Sequence, residues 1–335
     1  MARYDFASDN VAGAMPEVME ALGRFNGGWE PSYGADSVSA RAGDLIRGLL
    51  DVDAEIWFTA SGTAANALTL AALAQPHEAV TAHLFSHVAT DETGAPGFFG
   101  AGLGVTGLAG AAGRIDPAAL AEALGAEDSD HHQSPAALSV TQATEFGAIY
   151  AEEALAALIS QARAKDLKIH LDGARLANAI AGGFDPKAVG RLGADVVVVG
   201  GTKAGSTPTE AIVLVDKTLG RRFGARLKHG GQLTSKSRFL AAPWVGMLES
   251  GAWTERAGHA NAMARRLAAK MPFPINHPVE ANGVFVEMDD ATLERLAVAG
   301  WFAYRFIDGS VRFMCSWATT PEAVDEIAAV LARIA

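Results

Sequence analysis

The sequence has 335 residues, of which 50% are hydrophobic and 19% are charged, so the chain can bury one large α/β core and a smaller domain. Its formal net charge is −11 and its Lys and Arg residues are scattered, which disfavours nucleic acid as a partner. No apolar run approaches the roughly 20 residues of a membrane-spanning helix, and the first residues lack the apolar core of a signal peptide. We therefore expect a cytoplasmic protein without membrane contact.

The N-terminal segment combines a short predicted helix with a loop rich in glycine. The chain opens with Ser8-Asp9-Asn10, and Pro16–Leu22 has helical spacing. Several glycines and Pro31 then break the chain around Tyr33. Such a loop either reaches a functional site or a neighbouring subunit, or is an ordinary surface loop, and the residues alone favour neither interpretation.

A turn of small residues joins the first predicted strand to an Ala/Leu-rich helix. A helix over Ser39–Leu50 precedes the strand Glu55–Thr59. Ser61, Gly62 and Thr63 then lead into the next helix. Backbone N–H groups and hydroxyls at a helix start can bind a phosphate, because the helix dipole is positive there. The alternative, which the turn in isolation favours, is a plain Ser or Thr N-cap.

The following segment carries a histidine and a glycine pattern. His87 lies just beyond the predicted strand Ala79–Leu84, and a lone histidine is more often structural than catalytic. Gly102–Gly107 matches the dinucleotide pattern GxGxxG. That pattern requires a strand before it and a helix opening within it, whereas Val105–Leu108 itself has strand character and the next helix starts near Asp116. We expect no dinucleotide site here.

The segment Glu127–Pro135 is polar and is predicted to be a solvated loop. Its adjacent histidines, His131 and His132, would point apart on most backbones, so we expect no metal site. The chain resumes as a strand over Ala137–Thr141 and then reaches Glu145.

Two later strands end in residues of opposite charge. An amphipathic helix, Glu152–Lys165, leads to the strand before Asp172. The run Gly193–Pro208 contains a strand that stops at paired glycines and then presents Lys203. An acid and an amine that each follow a strand suggest a cofactor with a carbonyl group, although a surface lysine beyond a strand end is the plain alternative.

The alternation of strands and helices over residues 55–215 predicts an α/β fold with a parallel or mixed sheet covered by helices. Functional groups in such folds collect at the carboxyl ends of the strands. Ser61, His87, Asp172 and Lys203 all lie at these ends, and this convergence is stronger than any single motif.

Beyond residue 216 the pattern predicts a small α+β domain. A helix over Phe239–Leu248 is followed, after Trp253, by helix, strand, helix, strand and helix. We divide the chain into a large domain, residues 1–242, and a small C-terminal domain, residues 243–335. The single cysteine, Cys315, is expected to be a small buried residue.

One arginine interrupts an apolar strand of this domain. In the predicted strand Ser310–Cys315, Arg312 points to the face opposite Phe313. Burying an unpaired guanidinium is costly, so Arg312 either meets an anion or occupies an exposed edge position.

These residues match what one cofactor needs. Pyridoxal phosphate requires an amine for a Schiff base, a carboxylate that keeps its ring nitrogen protonated, and donors for its phosphate. Lys203, Asp172 and the Ser61 turn supply these groups, and Arg312 is the candidate for an amino-acid carboxylate.

The motifs SDN, YGAD, SGTAAN, HVATDETGAP, TQATEFG, HLDGARLANA and VRFMCSW, with a Thr-Lys dipeptide, resemble the low-specificity threonine aldolases. The resemblance spans nearly the whole chain. It implies a fold-type-I pyridoxal phosphate enzyme with a mostly parallel sheet and a small C-terminal domain. It also implies a homotetramer, a dimer of dimers with sites between two subunits, that cleaves L-threonine or L-allo-threonine to glycine and acetaldehyde.

The resemblance assigns cofactor contacts to matching residues. Lys203 would carry the cofactor and Asp172 would pair with its ring nitrogen, while Ser61, Gly62 and Thr63 would hold its phosphate. His87 would stack on the ring, and it is one candidate for taking the proton from the substrate β-hydroxyl, directly or through water.

The resemblance also implies substrate contacts. Ser8 and Arg312 would hold the α-carboxylate, and Arg175 would bond either the phenolic oxygen of the cofactor or that carboxylate. Tyr33 would reach in from the partner subunit.

Two departures leave roles open. One branch of the family has a second histidine in an ENTH segment, where this chain reads Gln142-Ala143-Thr144-Glu145, so the base is His87, Glu145 or water. The stretch with Lys228, Lys236 and Arg238 also diverges, which leaves a phosphate contact across the dimer open. A β-eliminating lyase or racemase on the same fold, or a non-catalytic binding protein, are the alternatives.

Overall fold

The structure is a computed structural model that describes residues 2–125 and 130–335. Within these ranges seven strands form the large sheet: β1 (Glu55–Thr59), β2 (Glu78–His83), β3 (Gly104–Leu108), β4 (Ser134–Thr141), β5 (Lys168–Gly173), β6 (Val196–Gly200) and β7 (Glu210–Leu214). Their order is β1-β7-β6-β5-β4-β2-β3, and β7 runs antiparallel to both of its neighbours while the other pairs are parallel. The predicted mostly parallel sheet is confirmed.

Helices cover this sheet and build most of the small domain. Those in the described ranges are α1 (Pro16–Arg24), α2 (Ser37–Leu50), α3 (Gly62–Leu73), α4 (His87–Thr90), α5 (Ala95–Phe99), α6 (Pro117–Gly125), α7 (Glu152–Arg163), α8 (Leu176–Ala181), α9 (Ala188–Leu192), α10 (Phe223–His229), α11 (Arg238–Ser250), α12 (Ala252–Ala268), α13 (Asp290–Val298) and α14 (Pro321–Ile334). None of them has both the length and the apolar character needed to cross a membrane.

Strand β6 shows why the central strands are apolar without interruption. Val197 and Val199 pack into one buried cluster, and Val196 and Val198 pack into a second cluster on the opposite face. Because helices cover both faces of a parallel sheet, each of its strands needs apolar residues at every position. Helix α3 packs in the second cluster, and because it directly follows β1, its first turn lies at the carboxyl end of that strand.

The small domain contains, in the described part of the chain, a three-stranded antiparallel sheet: β8 (Gly283–Val286), β9 (Tyr304–Arg305) and β10 (Val311–Met314) in the order β8-β10-β9. The sequence pattern missed β9, which has only two residues. Since β10 is the central strand, Arg312 pairs on both sides and is 7% exposed, so the edge interpretation is wrong. Phe313 packs in the small-domain core, and Cys315 is buried as expected.

Most predicted elements over residues 55–215 are found, with local differences. The strand and helix that argued against a dinucleotide site are present as β3 and α6. Of the predicted loop Glu127–Pro135, residues 127–129 lie outside the described residues, and its last two residues begin β4. The division after residue 242 stays a prediction, and helix α11 runs through that position.

Paired glycines at the end of β6 bring three chain segments close together. A Cβ atom on Gly200 would lie 2.2 Å from the carbonyl oxygen of Ala174, just after β5. A Cβ atom on Gly201 would lie 2.5 Å from the carbonyl oxygen of Thr209, just before β7. Only glycine allows this approach, which sets how near Lys203 lies to the end of β5.

We predict that Gly200→Ala destabilises the protein by about 1–3 kcal/mol, because the added methyl group must displace backbone atoms. Gly48→Ala is the matched control. A Cβ atom there meets nothing within 4 Å, so this helical substitution should be neutral or stabilise by up to about 1 kcal/mol. Thermal unfolding of both variants checks the prediction, and a Gly200→Ala protein as stable as the wild type would contradict it.

Candidate active site

A cavity of about 360 Å³ opens at the carboxyl edge of the large sheet. Five of the predicted site residues line it together with Glu145: Ser8, His87, Arg175, Lys203 and Arg312. They come from the N-terminal arm, the start of α4, the segment after β5, the loop after β6 and the small-domain strand β10. The sequence therefore predicted which distant segments meet here.

The acid predicted to face the cofactor lies at the end of β5. Asp172 is 2% exposed, and β5 pairs in parallel with β6, the strand that leads to Lys203. Its Oδ1 accepts a hydrogen bond from the Ala174 N–H at 3.0 Å, and its Oδ2 accepts one from Asn66 Nδ2 at 3.0 Å. Two fixed donors thus orient this carboxylate in a dry setting.

The same Asn66 amide links Asp172 to His87 through a second acid. Asn66 Nδ2 donates to Glu92 Oε1 at 2.8 Å, and His87 Nδ1 lies 2.9 Å from that oxygen. The Glu92 hydrogen bond raises the pKa of His87. Burial raises the pKa of Glu92, although its bonds to His87 and Asn66 oppose this. Asn66 and Glu92 were missed from the sequence; the one signal for Asn66 is a single amide within an Ala/Leu-rich helix.

A buried ion pair fixes Arg175. Its Nε and Nη2 donate to Asp9 at 2.8 and 3.1 Å, and its Nη1 lies 3.6 Å from Glu145 Oε2. Asn282 Nδ2 also donates to Asp9, at 3.1 Å. Burial by itself raises the pKa of Asp9, but the charge and hydrogen bonds of Arg175 outweigh it and lower that pKa to about 2. Apart from the SDN motif, no sequence pattern pointed to Asp9.

Arg312 is a cation of this cavity whose charge is not balanced by a near acid. No described carboxylate lies within ion-pair distance of it, and its Nε is buried without a hydrogen-bond partner. Its guanidinium lies over the rings of Phe306 and Tyr304, 4.5 and 5.0 Å from their centroids, and bonds the Tyr304 hydroxyl. Burial, and then the charge of Arg175, lower the pKa of Arg312 to about 10. An anion in the cavity would compensate both the burial of the Arg312 charge and its repulsion by Arg175.

The first turn of α3 has the expected N-cap. Ser61 Oγ accepts a hydrogen bond from the Ala64 N–H at 3.3 Å, whereas the N–H groups of Gly62 and Thr63 have no acceptor among the described residues. A Cβ atom on Gly62 would meet nothing within 4 Å, so space is open above this turn. The N-cap alternative is correct for Ser61, and two donors remain free beside it.

Tyr33 lies outside the Lys203 cavity of its own chain. It is 46% exposed and lines a separate cavity of about 650 Å³. Lys228 Nζ lies 5.0 Å from its ring centroid, and Arg238 Nη1 donates to the Gly27 carbonyl at 3.1 Å. Neither basic residue lines the cavity of about 360 Å³.

One further acid lies beside the lysine loop and was not predicted. Glu210 begins β7, is buried, and its Oε2 accepts a hydrogen bond from the Gly201 N–H at 2.8 Å. Burial raises the pKa of Glu210 to about 7, although hydrogen bonds from Thr202 and Gly201 act in the opposite direction.

We predict that Glu210 makes the stability of the cofactor-free protein depend on pH. A carboxyl with a raised pKa stabilises the fold while it is protonated, so its contribution is complete below the ordinary value of 4.5 and is lost as the pH rises through about 7. Relative to Glu210→Gln, the wild type should lose up to about 3 kcal/mol between about pH 5 and about pH 8. Urea unfolding of both proteins measures this, and a difference that does not change with pH would contradict it.

Comparison with known proteins shows the family to which the chain belongs. Residues 5–291 match the family described as beta-eliminating lyase, and the chain belongs to that family. A low specificity L-threonine aldolase of a Pseudomonas species is 42% identical over 331 residues, which cover 97% of this chain and 96% of the relative. The Pseudomonas aeruginosa protein of the same description is 43% identical over 330 residues, covering 96% and 95%. The resemblance inferred from the sequence motifs is confirmed.

Solved structures agree on the fold. A threonine aldolase of Leishmania major superposes with a TM-score of 0.93 at 28% identity, covering 99% of this chain and 100% of that one. The aspartate aminotransferase of Thermus thermophilus has a TM-score of 0.71 at 18% identity, covering 97% and 89%, and this likeness shows the shared fold alone.

Proposed function

We propose that this protein cleaves L-threonine, L-allo-threonine and related β-hydroxy-α-amino acids to glycine and an aldehyde, with pyridoxal 5′-phosphate as cofactor. The observation that carries this proposal is that Lys203 and the unbalanced Arg312 line one cavity, while the buried Asp172 lies on β5, the strand paired with the one that leads to Lys203. Identity of 42% to 43% to two threonine aldolases over nearly full length supports the same reaction, a carbon–carbon lyase reaction.

The donor set suits the cofactor. Lys203 offers an amine on the cavity wall, and Asp172 offers a carboxylate held by two hydrogen bonds. The free N–H groups of Gly62 and Thr63 suit a phosphate at a helix start. When bound, pyridoxal phosphate supplies an electron sink that weakens the bonds of the substrate Cα.

The protein's task is then to orient the amino acid and to move one proton. Arg312, with Ser8, would hold the α-carboxylate and so turn the Cα–Cβ bond into the reactive direction. Arg175 is locked by Asp9 and presents Nη1 toward the cavity, where it suits either the cofactor's phenolic oxygen or the carboxylate. His87, Glu145 or a water molecule would take the β-hydroxyl proton.

We also propose a homotetramer whose sites lie between two subunits. In one chain Tyr33 does not line the Lys203 cavity, and this agrees with a contribution to the cavity of a partner subunit. The side chains of Trp29 and Phe98 are also largely exposed, as aromatic residues at subunit contacts are before assembly. The cytoplasmic location expected from the sequence stays a prediction.

Product analysis tests the reaction. The purified protein with pyridoxal 5′-phosphate should release glycine and acetaldehyde from L-threonine or L-allo-threonine, and benzaldehyde from phenylserine. Lys203→Ala should lower kcat/KM by roughly three orders of magnitude or more and abolish the absorbance of the covalently held cofactor. Lys187→Ala, an exposed lysine outside the cavity, is the control and should keep both.

Two other outcomes would redirect the proposal. Cofactor binding without aldehyde from any of the three substrates would favour β-elimination or racemisation on this fold. Unchanged ligand binding by Lys203→Ala, with no turnover by the wild type, would favour a binding protein.

A further inference from the structure

We propose that Glu92 is a positioning residue for His87, joined through Asn66 to Asp172 in one buried chain of hydrogen bonds. The role of these hydrogen bonds in turnover rests on the proposed function, whereas their effect on the protonation of the His87 imidazole does not. Nothing in the sequence motifs or in the names of the relatives assigns a task to Glu92 or Asn66.

The donors and acceptors of these hydrogen bonds follow from the number of hydrogens that Asn66 can donate. An Asn amide nitrogen carries two hydrogens, and Asn66 uses them on Asp172 Oδ2 at 3.0 Å and Glu92 Oε1 at 2.8 Å. Glu92 Oε1 therefore already acts as an acceptor when it meets His87 Nδ1 at 2.9 Å. The proton between them belongs to Nδ1, so the imidazole turns Nε2 toward the cavity.

Burial makes the hydrogen bond between His87 and Glu92 difficult to replace. The Glu92 side chain is 0% exposed, and its second oxygen, Oε2, has no hydrogen-bond partner. Loss of the imidazole would therefore leave the buried Glu92 carboxylate with one donor fewer, which costs free energy. His87 itself is only partly exposed, and it lines the cavity that holds Lys203.

Charged groups from four segments face His87. Glu92 lies between α4 and α5, Glu145 follows β4, Asp172 ends β5, and Lys203 follows β6. The Glu92 hydrogen bond is the largest influence and raises the pKa of His87; burial and the charge of Lys203 oppose it, and the two other acids add to it. Glu92 thus extends to higher pH the range in which Nε2 carries a proton, and it sets where Nε2 changes from donor to acceptor.

The test follows the His87 imidazole in the full chain, with and without pyridoxal 5′-phosphate. NMR of histidine labelled at the ring carbon gives the titration midpoint, and His87→Asn identifies its signal among the nine histidines. Glu92→Gln should move the midpoint to lower pH, because an amide keeps the acceptor oxygen but removes the charge. Glu152→Gln removes an exposed carboxylate paired with Arg191 and should leave the midpoint unchanged.

Glu92→Asp provides a second variant if the amide does not fold. It keeps the charge but shortens the side chain, so it should also lower the midpoint by lengthening the contact to Nδ1. An unchanged midpoint in a folded Glu92 variant overturns the proposal.

A purely structural role for Glu92 would lower stability without moving this midpoint or the pH dependence of kcat/KM. If the enzyme is active, the limb of the kcat/KM pH profile that follows the ionisation of His87 should shift in the same direction as the NMR midpoint. If the midpoint moves while the wild type releases no aldehyde, the proposed function fails and the positioning role stands. If the wild type cleaves threonine and the midpoint does not move, the positioning role alone fails.

Discussion

The site depends on how closely the ends of β5, β6 and β7 approach one another. A lysine and a buried carboxylate can serve one cofactor ring only when the loops that carry them share an edge, and here glycine backbones make that contact. Gly200 meets the backbone of Ala174, which follows Asp172, and Gly201 meets Thr209 and donates to Glu210. The position of Lys203 is thus fixed by backbone packing before any side chain contributes.

Charge balance distinguishes the two buried arginines of the cavity. Asp9 neutralises Arg175 within a dry ion pair, and Asn282 ties that pair to the small domain. Arg312 has no such acid, and its contacts with Tyr304 and Phe306 leave its charge without a counterion that a bound anion would supply. The two arginines therefore differ, since Arg175 is held by an acid of its own chain, whereas the role we propose for Arg312 is to bind the carboxylate of a ligand.

The sequence predicted the large sheet well because its signals are local. Continuous apolar runs such as β6, and helices such as α3 that follow a small-residue turn, need no knowledge of distant contacts. The candidate site residues Lys203, Asp172 and His87 could be grouped because strand ends of a parallel sheet share one edge. Arg312 was left between two interpretations, because only the pairing of β10 with two neighbours shows that it is buried.

What the sequence could not predict are the contacts between groups far apart in the chain. Asn66, Glu92 and Asp9 have no periodicity of their own, and their partners are 26 or more positions away or lie across a loop. Tyr33 was ambiguous for a different reason, since the role that we propose for it requires a second copy of the chain. Neither kind of contact can be predicted from a single stretch of residues.

The central claim is that Lys203 carries pyridoxal 5′-phosphate in this cavity. Borohydride reduction of the protein loaded with the cofactor, followed by mass spectrometry of its peptides, tests it most directly. We expect one modified residue per chain, Lys203. Modification of another lysine, or a loaded protein that reduction leaves unmodified, would contradict it.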